Sequence, residues 1–422
     1  MPVSRHVRGG LAVVGALLLL AALPVAAPNA NAVTVGSDGL PIVNGAGVTF
    51  GVVAHRGGAG QWPENSLEAF TGSAEAGYDG IETDLLFTVD GQPVMSHYDT
   101  LPARCTSAGL KIHLLTWSQV SKVRCANLAG QKLVPIPTFA QLAAVLKANP
   151  DVALTLDLKT YSGQSASGMR TYASRAMALL AQHDLTARTR ILTYKWDAML
   201  PTIRKSSKSI YVLAYDTSKL DLDRVRLADT LTANGYGVRL RDTSAFLARF
   251  VKSTGMDSVP WEVIGTEQRA FAIYFGGDNQ PFLTDKPGEL QDDLVSGAID
   301  LNPVAIPTTT TLTKPVTVST ATYYASAPRY PLVLGPAVPT ADLPMLDNVT
   351  VSITVTNGPG TGTLRVAPRS GTLGRVSAPL PKGTGTLTLT VPLGDDGKLR
   401  IDSTKTVKLT VKVLAYTRLR FA

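Results

Sequence analysis

Short apolar strands alternate with amphipathic helices from Phe50 to about Leu301, and no other feature constrains the fold as strongly. The stretch "VALTLDLK" sets Val152, Leu154, Leu156 and Leu158 on one face and Ala153, Thr155, Asp157 and Lys159 on the other, the period of a strand. The preceding "PTFAQLAAVLKANP" reads as a helix. Thr138 and Gln141 form a capping box, Phe139, Leu142, Val145 and Leu146 make an apolar stripe, and Asn149-Pro150 ends it. Further strands are expected at 52–55, 80–87, 93–97, 190–194, 210–215, 237–240, 259–264 and 282–284, with helices at 169–180, 222–234, 245–254 and 267–275. Repeated β-α units over about 250 residues predict an α/β fold, a (β/α)8 TIM barrel, here spanning 50–302. The strand count is nine, so against an eight-stranded barrel one strand is either extra or misread.

The pattern changes after the barrel. The Pro/Thr-rich segment 303–314 reads as a linker, and 315–422 carries no helical period. "NVTVSITVTNG", "GTLTLTVPLG" and "TVKLTVKVLAY" alternate apolar residues with Thr, Ser or Lys, which predicts a C-terminal all-β, sandwich-like accessory domain. At the other end, residues 1–32 have a basic start (Arg5, Arg8), an apolar run and the small-residue site Ala30-Asn31-Ala32. That pattern is a secretory signal peptide, with a membrane anchor as the alternative; residues 33–49 then lead into the barrel. The apolar run is short for a bilayer span, and no second long run comes after it, so an exported, extracellular chain without a span after signal removal is expected. In an exported protein the two cysteines, Cys105 and Cys125, can pair; unpaired thiols are the alternative. The net charge of +8 is spread out, with no basic block interleaved with aromatics, which argues against a nucleic-acid partner.

Four clusters of reactive side chains fall at the ends of expected barrel strands, the face on which such barrels carry their chemistry. They are His55-Arg56, Glu82 with Asp84, His97, and Asp157 with Lys159. Glu82 and Asp84 are two apart on a strand, so both carboxylates point the same way. Inside a barrel this pairing pushes one pKa up unless a cation relieves it, and hard carboxylate oxygens suit Mg²⁺ or Ca²⁺. Each cluster alone has a plainer reading: a packed histidine, a solvated strand face, a simple ion pair. Together, two histidines, an acidic metal site and two fixed cations point to phosphoryl chemistry. The cations neutralise a phosphodiester, while one histidine takes a proton and the other returns one.

The stretches "AHRGGAGQWPENSLEAF", "GYDGIETDLLFTVDGQPVMSHYD" and "IPTFAQLAAVL", with "LTLDLK" and "FLTDKP" later, resemble the glycerophosphodiester phosphodiesterase family in order and spacing. The resemblance covers about Val52 to Gly297. It implies a (β/α)8 barrel that uses a divalent metal to split glycerophosphodiesters into an alcohol and glycerol phosphate. It makes His55 and His97 the acid–base pair, Glu82, Asp84 and Asp157 metal ligands, and Arg56 and Lys159 the phosphate holders. Glu64, from "PEN", is a candidate contact to metal or substrate, and Trp261 in "VPWEVIG" a candidate wall on the glycerol side. For Asn65 the local reading is preferred: N-cap of the following helix, with Glu68 at its third position.

The chain departs from the family's pattern in places. Asp157 stands where the family usually has Glu, drawing that ligand back by about 1.5 Å, one C–C bond. The usual His-Asp pair is opened to His97-Tyr98-Asp99, and the Cys105–Cys125 segment falls where the family carries variable loops. The expected substrate is a small glycerophosphodiester or a glycerol-phosphate polymer, and a cell-surface polymer is the candidate partner of the C-terminal domain. The competing readings are a phospholipase of the sphingomyelinase D or phosphatidylinositol-cleaving type on a related barrel, and a non-catalytic surface-binding protein.

Overall fold

The computed structural model describes residues 51–126, 131–216, 222–240, 243, 245–261, 266–276, 282–299, 303, 305–323, 331–333, 337–338, 346–368, 375–392 and 398–421, with backbone alone at 43–44 and 47–48. The expected signal peptide and most of the lead-in segment lie outside the described residues. Among those described, no helix is long and apolar enough to cross a membrane.

The first body contains strands β1 (Val52–Ala54), β2 (Gly80–Phe87), β3 (Pro93–Met95), β4 (Ala153–Leu158), β5 (Thr189–Thr193), β6 (Tyr211–Tyr215), β7 (Gly235–Gly237), β8 (Asp257–Ser258) and β9 (Phe282–Thr284). Eight of them form one parallel path, β8-β7-β6-β5-β4-β2-β1-β9. The ninth is β3, which folds back antiparallel on the far end of β2; it is the strand extra to the barrel. Leu283 on β9 packs with Leu192 on β5, Leu213 on β6 and Val259 just beyond β8. Strands this far apart in the path meet only if the sheet is rolled, which gives the interior of a TIM-like barrel.

The period-two pattern is what rolls it. Leu154, Leu156 and Leu158 of β4 face the helix layer, against Phe139, Leu142 and Leu146 of the helix Phe139–Ala148, while Ala153 meets Val53 on the inside. The capping box of this helix forms as expected, with Thr138 and Gln141 exchanging backbone and side-chain hydrogen bonds. Two of the longer helices went unforeseen. One, Trp196–Ser206, carries Pro201 in its interior, yet buries Trp196, Met199, Leu200 and Ile203. Burying four large apolar side chains outweighs the roughly 3 kcal/mol a helical proline costs. The other, Pro287–Val295, starts on its proline, where a missing N–H is harmless.

The second body is a pair of four-stranded antiparallel sheets. One sheet has the order β10-β17-β12-β15, built from Ala305–Tyr323 (β10), Leu346–Pro359 (β12), Lys382–Pro392 (β15) and Val407–Phe421 (β17). The other has the order β11-β16-β13-β14, built from Pro331–Val333 (β11), Thr363–Pro368 (β13), Val376–Pro379 (β14) and Lys398–Ser403 (β16). Val349, Val351, Ile353 and Val355 from the first sheet share a core with Leu364, Val366, Leu399 and Ile401 from the second, which makes this body a sandwich. The expected linker 303–314 needs correcting: from Ala305 onward it is the first half of β10, paired in register with β17 from Ala305↔Phe421 to Thr311↔Ala415. Threonine favours the strand, and β10 lies at a sheet edge, where Pro307 and Pro315 cost no ladder bond to an outer neighbour.

Candidate active site

β1 is short because a sharp turn at His55 ends it. Before the turn, Val53 packs inward, while Val52 and Ala54 pack against Ile273, Leu290 and Leu294. Beyond His55, Arg56, Gly57 and Gly58 are all left-handed (φ 52°, 75° and 84°). A Cβ on Gly57 would sit 2.8 Å from the Cβ of Ala69, so only glycine lets helix α1 (Leu67–Glu75) approach. Arg56 carries a left-handed backbone without that freedom, at a cost of about 1–2 kcal/mol. Its backbone N–H donates to Glu82 Oε2 at 2.8 Å, which ties the turn to the carboxylate cluster.

Glu82 and Asp84 on β2 and Asp157 on β4 converge inside the barrel. Asp84 and Asp157 are register partners on adjacent strands, and one oxygen from each of the three carboxylates falls within 4.8 Å of the others. All three are at most 4% exposed. Lys159 Nζ lies 3.1 Å from Asp84 Oδ1 and also donates to Asp157 Oδ2, which accepts a second bond from the Tyr215 hydroxyl at 2.9 Å. Asp157 Oδ1 is buried with no hydrogen-bond partner. A buried anionic oxygen left bare beside two further carboxylates is what a hard divalent cation satisfies, so the residues present fit a metal.

Asn65 is not the N-cap. Ser66 takes that place, accepting from the Ala69 N–H at 3.0 Å. Asn65, at φ 52° and 5% exposed, instead grips the cluster. Its Nδ2 donates to Asp84 Oδ2 at 2.8 Å, and its Oδ1 accepts from Thr83 Oγ1 at 2.6 Å and from the Asp84 N–H at 3.3 Å.

The charges divide unequally. Burial together with the Asp84 and Asp157 charges pushes Glu82 up to about 7, against the pull of His55 and Lys159. Burial raises Asp157 also. For Asp84 burial acts in the same direction, but Lys159, His97, Arg56 and the Asn65 hydrogen bond outweigh it and hold the carboxyl well below its ordinary range. Burial likewise opposes the Lys159 charge, and Asp157 and Asp84 overcome it, so the ammonium persists far above its usual value.

The two histidines differ in kind. His55 Nδ1 is 2.7 Å from Asp285 Oδ1, and its Nε2 is 3.8 Å from Glu82 Oε2. Burial would strip its proton, but Glu82 and Asp285 prevail and raise its pKa. Asp285 was not singled out from the sequence, although it lies in "FLTDKP"; it also accepts the Gly60 N–H through its backbone oxygen at 2.7 Å. His97 has a buried Nδ1 without a partner. Burial, reinforced by Lys159, Arg56 and His55 against the opposing pull of Asp84, drives its pKa down to about 3. Asp99, displaced by Tyr98, serves a different histidine: it accepts the His113 backbone N–H at 3.0 Å and pairs with His113 Nδ1 at 2.8 Å, while that ring stacks on Tyr161.

Glu64 stands apart from the three-carboxylate cluster: its two oxygens accept from Arg56 Nη1 and Arg104 Nη2, each at 2.8 Å. Trp261 packs edge-on to Tyr215 with centroids 6.2 Å apart, so it reaches the cluster through the tyrosine that holds Asp157. Cys105 and Cys125 are joined in a disulfide. Tyr215 and Arg104 were also absent from the sequence reading.

Comparison with known proteins gives the family and the fold. Bovine glycerophosphodiester phosphodiesterase 1 is 33% identical over 122 residues, 28% of this chain and 36% of that protein. A glycerophosphodiester phosphodiesterase of Caldanaerobacter subterraneus is 30% identical over 111 residues, 26% of this chain and 45% of that protein. The chain therefore spans well under two thirds of the curated relatives it matches. A solved structure from Silicibacter pomeroyi, assigned to the glycerophosphoryl diester phosphodiesterases, superposes with a TM-score of 0.53 at 20% identity, covering 60% of this chain and 95% of that one, which is a likeness of fold. The profile of the Glycerophosphoryl diester phosphodiesterase family matches residues 55–289, more than half of the 422 residues and every site residue named above. By that match the chain belongs to the glycerophosphoryl diester phosphodiesterase family.

Proposed function

We propose that this protein is an exported, metal-dependent phosphodiesterase that hydrolyses glycerophosphodiesters to an alcohol and glycerol phosphate. The observation that carries the reading is the buried Glu82–Asp84–Asp157 cluster, with one bare oxygen, flanked by two cations and two histidines of opposite character. Glu82, Asp84 and Asp157 would hold Ca²⁺ or Mg²⁺, as their oxygen-only donor set favours. Such an ion, when bound, supplies positive charge to the phosphoryl oxygens. Arg56 and Lys159 hold the phosphate and offset charge developing on it. His55, kept in place by Asp285, and His97, whose Nδ1 has no competing partner, act as the acid–base pair. One removes the proton from the attacking hydroxyl, of water or of the substrate's own glycerol, as its oxygen bonds to phosphorus, and the other delivers a proton to the departing alcohol oxygen as the P–O bond breaks; after attack by the glycerol hydroxyl, water opens the cyclic phosphate in a second such step. Export rests on the leader pattern of the first 32 residues.

The test is hydrolysis of a panel of glycerophosphodiesters, glycerol-phosphate polymer and intact phospholipids, with and without chelator, by the purified protein and its His55→Ala and His97→Ala variants. The expected result is diester hydrolysis that excess chelator abolishes and either substitution nearly eliminates while the fold persists. Turnover that survives chelation overturns the metal role of the three carboxylates. Near-wild-type rates in either variant overturn the acid–base assignment, and activity confined to intact lipid overturns the substrate class.

A further inference from the structure

We propose that the disulfide-tied loop is a working part of this site: Arg104 is a positioning residue that, through Glu64, sets the guanidinium of Arg56. The inference rests on the phosphate-holding role of Arg56 given above.

Arg56 is poorly fixed by its own surroundings. Its Nε is buried without a hydrogen-bond partner and lies 3.8 Å from Asp84 Oδ2, too far for a hydrogen bond. What orients the fork is Glu64 Oε2, at 2.8 Å from Nη1. Glu64 is anchored in turn by its other oxygen, 2.8 Å from Arg104 Nη2. Both guanidiniums also stand over the Tyr98 ring, Arg104 at 5.1 Å and Arg56 at 5.9 Å from its centroid. One carboxylate between two arginines leaves the group with a net positive charge. Without Arg104 the Glu64 charge would fall on Arg56 alone, and the cation left for a phosphate would be largely cancelled.

Arg104 has this place because of its neighbour. It directly precedes Cys105, which is bonded to Cys125. The two segments run as a short antiparallel pair, with Thr106 N–H donating to Arg124 O at 2.9 Å and Ala126 N–H to Arg104 O at 3.3 Å. The disulfide thus clamps the backbone that carries Arg104 to Glu64, 40 positions back in the chain.

The test measures hydrolysis of glycerophosphocholine and, by calorimetry, binding of sn-glycerol 3-phosphate, which needs no turnover. The variants are Arg104→Ala, Arg104→Lys, Glu64→Gln, Arg104→Ala with Glu64→Gln, and Cys105→Ser with Cys125→Ser. Arg104→Ala should raise KM and the glycerol 3-phosphate Kd about tenfold with kcat within threefold, and Arg104→Lys should recover part of this. In the Glu64→Gln background, Arg104→Ala should add nothing, because the carboxylate through which it acts has lost its charge. The double serine variant should repeat the rise in Kd. A wild-type Kd in Arg104→Ala, or an unchanged tenfold effect in the Glu64→Gln background, overturns the positioning role. A double serine variant that is less stable but binds normally overturns the part given to the disulfide. If the wild type binds glycerol 3-phosphate yet turns over no diester, the proposed function fails, while the binding series still decides the role of Arg104.

Discussion

Replacing Asn65 tests whether its amide is what holds Asp84 in the carboxylate cluster. Asn65→Ala removes a hydrogen bond to a charged oxygen (2.8 Å) and one from the Thr83 hydroxyl (2.6 Å), both buried. A charged bond contributes about 1.5–3 kcal/mol and a neutral one about 1, so the variant should lose about 3 kcal/mol. Asn65→Asp is nearly the same shape and should be worse at neutral pH. It puts a carboxylate where the amide nitrogen stood, and two unit charges some 4 Å apart repel by about 4 kcal/mol at an effective dielectric of 20. The sign with pH comes from linkage. A carboxyl whose folded pKa is raised above its ordinary value destabilises the fold in full above the raised pKa; the penalty shrinks as pH falls below that value and is gone near the ordinary one. Asn65→Asp should therefore be marginal at pH 8 and regain stability toward pH 5. Wild-type Asp84 behaves oppositely: held below its ordinary 3.8, it stabilises above that pH and stops doing so only in stronger acid. Urea unfolding in excess chelator, followed by tryptophan fluorescence, isolates the effect, because the chain's four tryptophans (Trp62, Trp117, Trp196 and Trp261) all lie in the barrel. If Asn65→Asp is as stable as Asn65→Ala at pH 8, or fails to recover on acidification, the amide is not what holds Asp84.

Two further expectations use other parts of the molecule. Tyr215→Phe removes one of two donors from Asp157 Oδ2 and frees that carboxylate to turn, so Ca²⁺ or Mg²⁺ affinity measured by calorimetry should fall about tenfold, as losing such an outer partner typically does; unchanged affinity would deny the tyrosine that role. Ile353→Ala opens a cavity in the sandwich core, where the side chain is fully buried, and should cost about 3 kcal/mol. The loss should appear as an earlier transition in the far-ultraviolet β signal that precedes the tryptophan transition, and simultaneous movement of both would mean that the two bodies unfold as one.

How much of the molecule is legible in the chain depends on the range of the interaction. Period two along "GIETDLLF" and "VALTLDLK" is local, so Glu82 and Asp84 could be placed together on one strand face, and Asp157 opposite the leucines of its strand, before any contact was known. Local rules also misled. The proline-rich start of β10 reads as a linker unless its pairing with β17 is known, and Pro201 hides a helix that four buried side chains hold together. Asn65 shows how close the competing readings can be. An asparagine followed three positions later by Glu68 is a fair N-cap signal, yet moving the cap one residue to Ser66 frees the amide for Asp84, 19 positions on. The other unforeseen residues share that property. Arg104 meets Glu64 across 40 positions, Tyr215 meets Asp157 across 58, and Asp285 meets His55 across 230. Each partner is brought near only by the rolled sheet or the disulfide, so no local pattern announces the contact. The groups proposed to touch the substrate can thus be found from strand period and side-chain type, while the partners that hydrogen-bond to them require the fold. Substitutions at Asn65, Arg104 and Tyr215 are accordingly the ones that test this structure rather than the sequence motif.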